Sequence, residues 1–245
     1  MIQHPSCYLF EELSRVCPYP SGVTAVPRQI LGTSFFPGGT GLWHDGSLDI
    51  PSFPIGGVMV LGHDFHSVAG YKQSLLRGAE NMKSSTWRHL LPFLSQVPIP
   101  LRHCFFTNAY MGLREGTATT GVFPGANSPD FVKRCQEFLL LQIATQQPSL
   151  ILALGKYVPI FLAPLSLRLA PWARAASFSE RDSLGLALVD DVLFEVPKAH
   201  PCVVASIVHP SFRPSNVRHR RWANFTGDLA ELALVQEAVA RSRPH

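Results

Sequence analysis

The sequence predicts an α/β fold: a three-layer α/β/α sandwich around a central, mostly parallel, four-stranded sheet. It predicts a single domain over 1–245, with an irregular segment over 1–57. Three observations lead there. Short apolar runs rich in β-branched residues or leucine recur at 58–61, 103–107, 150–154 and 202–208, the signature of buried strands. Stretches between them space apolar residues as helices do. Strands alternating with helices imply right-handed crossovers and a parallel sheet.

Residues 1–57 are rich in Pro and Gly, and Phe35, Phe36, Pro37, Gly38, Gly39, Thr40 and Gly41 make a turn cluster. No strand precedes it and it has no Lys, so it is not a phosphate loop. The first strand, 58–61, ends at Gly62. A short helix over 84–96 carries Trp87, Leu90, Leu91 and Leu94. The second strand ends at Asn108. The stretch 110–128 reads as a loop long enough to suggest function. Ser128 as N-cap and Pro129 at the first helical position open a helix over 129–145, with Phe131, Cys135, Phe138, Leu139 and Ile143 as its stripe. The third strand ends at Gly155. A hairpin is expected around Asp190 and Asp191 within 186–194. After the fourth strand, the last helix is expected over 217–241, with Trp222, Phe225, Leu229, Leu232 and Val239 inward. No internal repeat is visible.

Composition narrows the class. Hydrophobic residues make up 46% and charged residues 16% of the 245, enough to build a core. The net charge of +4 is modest, but its placement is not: Arg213, Arg218, Arg220 and Arg221, with His219, crowd the turn after the fourth strand. Such a patch suits a phosphate backbone; solvated charges at a helix start are the plainer alternative. The five cysteines are scattered without a C-x-x-C, which disfavours a zinc ribbon. Their odd number suits reduced thiols in a cytoplasmic protein. The first residues are not those of a signal peptide. The most apolar stretch, 150–169, is broken by Lys156, Pro159, Pro164 and Arg168, so it reads as a strand and an amphipathic helix rather than a membrane span.

Chemistry concentrates just past the strands, where ligands of open α/β sheets bind. Asp64, Asn108 and His209 all fall there. Their structural alternatives are a helix cap, a turn closer and a core histidine. An acid and a histidine brought to one crevice suit cleavage of a bond whose transition state is cationic on one side and anionic on the other. There is no G-x-S-x-G elbow and no P-loop, which disfavours serine hydrolases and NTPases. A metal-dependent hydrolase is the rival reading, with His63, Asp64 and His66 joined by His44 or His209, although no H-x-H-x-D-H or H-E-x-x-H is present. A non-catalytic DNA-binding module is a third.

Four segments in order resemble the uracil-DNA glycosylase superfamily. Gly62-His63-Asp64-Phe65-His66 is similar to its first motif, and His209-Pro210-Ser211-Phe212-Arg213 to its His-Pro-Ser motif. Phe106-Thr107-Asn108-Ala109 is similar to the strand carrying the base-reading Asn. The stretch from Ser128 to Gly155 resembles the iron–sulfur branch. The likeness covers roughly 55–225. It implies a DNA glycosylase that flips a uracil or a C5-modified pyrimidine from DNA, for base-excision repair or defence against modified foreign DNA. Asp64 and His209 would be catalytic; Asn108, His66, Phe65 and His63 would meet the base. Ser211 would grip phosphate, Arg213 would fill the vacated stack, and Arg218, Arg220 and Arg221 would neutralise phosphates. Only Cys135 matches a cluster ligand, so no cluster, metal or other cofactor is expected, and the protein is expected to be a monomer. Phe65 replaces the motif's proline, and His66 replaces the tyrosine that blocks C5 in the uracil-specific branch. The usual stacking aromatic is missing from 74–78, which leaves Tyr71, Phe65 or a loop residue for that part.

Overall fold

A computed structural model describes residues 3–44, 49–197 and 199–242. Its helices are α1 (Pro5–Glu12), α2 (Val68–Arg77), α3 (Ser85–Leu94), α4 (Pro129–Gln146), α5 (Tyr157–Leu162), α6 (Phe178–Ser183), α7 (Arg213–Asn216) and α8 (Gly227–Ser242). Its strands are β1 (Val23–Thr24), β2 (Val58–Ser67), β3 (Cys104–Arg114), β4 (Leu150–Leu154), β5 (Leu188–Val192), β6 (Cys202–Ile207), β7 (Arg221–Trp222) and β8 (Phe225–Thr226).

The α/β class and the three layers hold. Successive residues of each strand point to opposite faces, and the two faces are both apolar. Met59, Leu61, Phe105, Ile151, Ala153 and Val204 pack with α1, α4 and α5. Val58, Val60, Leu150, Leu152, Val203 and Ala205 pack with α3 and α8. Burial on both sides is why these strands read as unbroken apolar runs.

The sheet has six strands, not four, in the order β1-β3-β2-β4-β6-β5. The central four are parallel and both edges are antiparallel. β1 escaped notice because it is two residues long inside the Pro- and Gly-rich segment. That segment, expected to be irregular, also holds α1 and buries Leu9, Val16, Phe36 and Leu42 in the main core. The expected hairpin at 186–194 does not form. Asp191, at φ 52°, sits in a bulge, and the chain continues as the single edge strand β5 against β6. The last helix starts at Gly227, ten residues late. Before it, 217–219 form a 3-10 turn and β7 pairs with β8. Phe225 and Leu229 consequently face solvent, at 48% and 61% exposure. α2 was not anticipated; Ser67 caps its start and Gly78, at φ 66°, its end.

The departure that matters for function lies in β2 and β3. Both run well past their expected ends. β2 pairs with β4 only as far as Leu61 opposite Ala153, whereas its pairing with β3 continues to Ser67 opposite Arg114. Two strands therefore project beyond the carboxyl edge of their neighbours, as a ledge over the ends of β4 and β6. Asp64 and Asn108 lie within this ledge rather than past it.

Candidate active site at the carboxyl edge of the sheet

Asp64 is the centre of the ledge. Its carboxylate accepts from Arg114 through two parallel bonds, Nε to Oδ1 at 2.9 Å and Nη2 to Oδ2 at 2.8 Å. His63 Nδ1 adds a third contact to Oδ2 at 2.8 Å. Arg114 is placed by the strand pairing, which brings the end of β3 alongside β2. Its other donors go to the carbonyls of Thr120, Gly121 and Val122, so all five guanidinium N–H groups are satisfied. Burial alone would push the Asp64 carboxyl up. The Arg114 and His63 hydrogen bonds outweigh it and hold the group below its ordinary value. The Asp64 side chain is only 8% exposed.

His63 stands between this carboxylate and a wall of rings. It stacks on Tyr157 at 4.9 Å and meets Tyr110 edge-on at 5.2 Å. Because Nδ1 faces a carboxylate, it carries the proton. Nε2 has no hydrogen bond to any described residue, and the side chain is 12% exposed.

His209 arrives from the other side, two residues after β6. The main-chain N–H of Ser211 donates to its Nδ1 at 3.3 Å, and the Ser211 hydroxyl lies 2.7 Å from the same nitrogen. An Nδ1 that accepts leaves the ring proton on Nε2. Burial pushes the imidazole down to about 4, against the raising influence of Asp64. The ring is therefore neutral at pH 7 and presents an N–H donor. A Cβ at Gly155 would fall 3.1 Å from that of His209, and Tyr157, two residues further on, stacks on His63, so His209 and His63 meet the same turn after β4.

Other expected residues are placed differently. Asn108 is 2% exposed, its amide donates to the Phe36 carbonyl at 2.8 Å, and its oxygen lies where a Gly62 side chain would begin. A base-reading role would require that amide to leave Phe36. Phe65 packs against Gly38, where a Cβ would fall 1.9 Å from its ring, and edge-on to Tyr71. Tyr71 is buried with its hydroxyl on the Arg28 carbonyl, so it cannot stack on a substrate. His66 fits beside Gly70, where a Cβ would fall 1.8 Å from the ring. Its Nδ1 accepts from Ser67 N–H at 2.8 Å.

The basic cluster divides. Arg213 is not a free wedge: it stacks on Phe93 at 4.3 Å and pairs with Asp228 and the buried Glu231. Arg220 is fully enclosed between the Ser206 carbonyl, Asp182 and Glu231, so it cannot neutralise a DNA phosphate. Arg218 and Arg221 are exposed. Ser211 turns inward to His209 and Thr86 rather than outward to a phosphate. The rival metal site is not assembled. Arg114 occupies both Asp64 oxygens, and among the described residues no three His, Cys, Asp or Glu side chains are grouped to hold an ion.

Sequence reading missed Arg114, Tyr157 and Lys156. Lys156 is exposed and lies over the Tyr157 ring at 4.9 Å. The strand-end rule that singles out Asp64, Asn108 and His209 applies equally to the residues after β4, and would have found Lys156 and Tyr157. Nothing local marks Arg114, because its partner lies fifty positions away. Neither the known protein-family models nor the curated proteins match this chain. No described helix is long and apolar enough to cross a membrane.

Proposed function

We propose that the chain hydrolyses the N-glycosidic bond of a pyrimidine base, uracil or a C5-modified relative, in DNA. One observation carries the reading: at the carboxyl edge of the sheet, a carboxylate gripped by Arg114 and His63 stands beside an imidazole whose Nδ1 accepts from Ser211, leaving its Nε2–H to donate. Breaking this bond places positive charge on the sugar and negative charge on the departing base. The Asp64 charge favours the first, as carboxylates do in glycoside hydrolysis. A His209 Nε2–H hydrogen bond to the base O2 favours the second, and a neutral donor there needs no proton to be lost or gained. Lys156, Arg218 and Arg221 supply exposed positive charge for the backbone. A monomer in a reducing cytoplasmic setting completes the reading; the five free cysteines suit the reducing setting.

Side chains close tightly around Asp64, so the target base must be flipped and the pocket opened around it. Duplex and single-stranded oligonucleotides carrying uracil, 5-hydroxymethyluracil or modified cytosines test the proposal, with abasic-site formation as readout. His209→Ala should lower the rate about 10²–10³-fold, the usual loss for one preorganised donor, with folding intact. No abasic site from any substrate would sink the reading and leave a binding module.

A further inference from the structure

We infer that His63, through Nε2, is the base that takes the proton of the attacking water, with Asp64 and Arg114 as the residues that position it. This rests on the N-glycosidase reading and goes beyond it.

The argument starts from the occupancy of Asp64. Three donors already converge on its two oxygens: Arg114 Nε and Nη2, and His63 Nδ1. A carboxylate so engaged has little basicity left for a water proton. His63 has what Asp64 lacks. Its Nδ1 lies 2.8 Å from the carboxylate, which favours the Nδ1–H tautomer and leaves a lone pair on Nε2, a nitrogen with no hydrogen bond to any described residue. Stacking on Tyr157 and edge contacts with Tyr110 and Phe123 hold the ring in that orientation. Carboxylate, imidazole and water would then act in series, with the carboxylate stabilising the imidazolium that forms.

The step balances. The bond between C1′ and the base nitrogen breaks, and its electron pair leaves with the base, whose O2 accepts from His209 Nε2. The water oxygen bonds to C1′ while its proton moves to His63 Nε2. That proton then returns, directly or through solvent, to the base nitrogen. The products are the free base and a hydroxyl on C1′.

The charged and titratable groups around His63 are Asp64 on β2, Tyr110 and Arg114 on β3, Lys156 and Tyr157 after β4, and His209 after β6. The test is single-turnover base release, beside ¹⁵N NMR of the imidazoles. Wild type should show His63 as the Nδ1–H tautomer. His63→Gln should keep its fold by circular dichroism and lose about 10²–10⁴ in rate. Asp64→Asn, if it folds, should weaken the preference of His63 for the Nδ1–H tautomer, which a merely structural role would not do. An unchanged rate in His63→Gln, or an Nε2–H tautomer in wild type, would overturn this inference alone. No base release by wild type from any substrate would overturn the functional reading and this one with it.

Discussion

Single residues here owe their protonation to their neighbours. His209 shows this in stability. Its folded value of about 4 lies below the 6.5 of an ordinary imidazole. Between those pH values the unfolded chain binds the extra proton and the folded chain does not, so stability should rise with pH across that window. His209→Asn should flatten that part of the melting-temperature curve; an unchanged slope would mean that the ring charges freely in the fold. Arg213 makes a different case, a charge spent inside the fold. Arg213→Ala would leave Glu231, which is 0% exposed, without one of its two counter-charges. Breaking such a pair costs about 3–5 kcal/mol, which urea unfolding would read. Base release should then fall equally on duplex and single strands, because the residue is not inserted into a base stack.

Among the elements, the ledge of β2 and β3 dominates. A close approach sets it. Gly62 is opposite Asn108, and a Cβ at Gly62 would fall 2.4 Å from the Asn108 side-chain oxygen. A bulge between Asp64 and His66 then re-aims the strand, as bulges beside sites often do. The exposed segment 115–122 hangs from the same element. Arg114 joins it to Asp64 by holding the carbonyls of Thr120, Gly121 and Val122. Arg114→Gln should therefore raise hydrogen exchange across 115–122 and slow base release together. Faster exchange at full activity would separate the segment from the site.

At the scale of the whole molecule, two apolar faces clamp one sheet, and Arg218 and Arg221 are left on the surface. Glu231 in α8 accepts from Val208 N–H at 2.8 Å, tying the outer helix layer to the chain just before His209. Arg218→Ala and Arg221→Ala should each lower the salt-dependence slope of DNA binding by about one unit, with similar effect on every sequence. Arg220→Ala should instead destabilise the fold, since its guanidinium lies wholly inside. Unchanged slopes would leave Arg218 and Arg221 as solvated surface charge.

Sequence alone determined the layered α/β class, the four buried parallel strands, the stripe of α4, and the two segments that carry Asp64 and His209. Each is encoded locally, by an apolar period, a cap or a strand followed by a polar residue, and local codes survive without knowledge of partners. Tertiary structure alone decided the rest. The two-residue β1 and the bulged edge strand β5 exist because β3 and β6 offer hydrogen bonds, not because their own residues demand them. The bidentate grip of Arg114 on Asp64 joins residues fifty positions apart, and the same carboxylate meets His63 Nδ1. Arg213 and Arg220 belong to a basic run in sequence, yet packing against Phe93, Glu231 and Asp182 takes them out of solvent. Charge is written in the chain; whether a charge meets water, a counter-ion or a substrate depends on which distant groups folding places beside it.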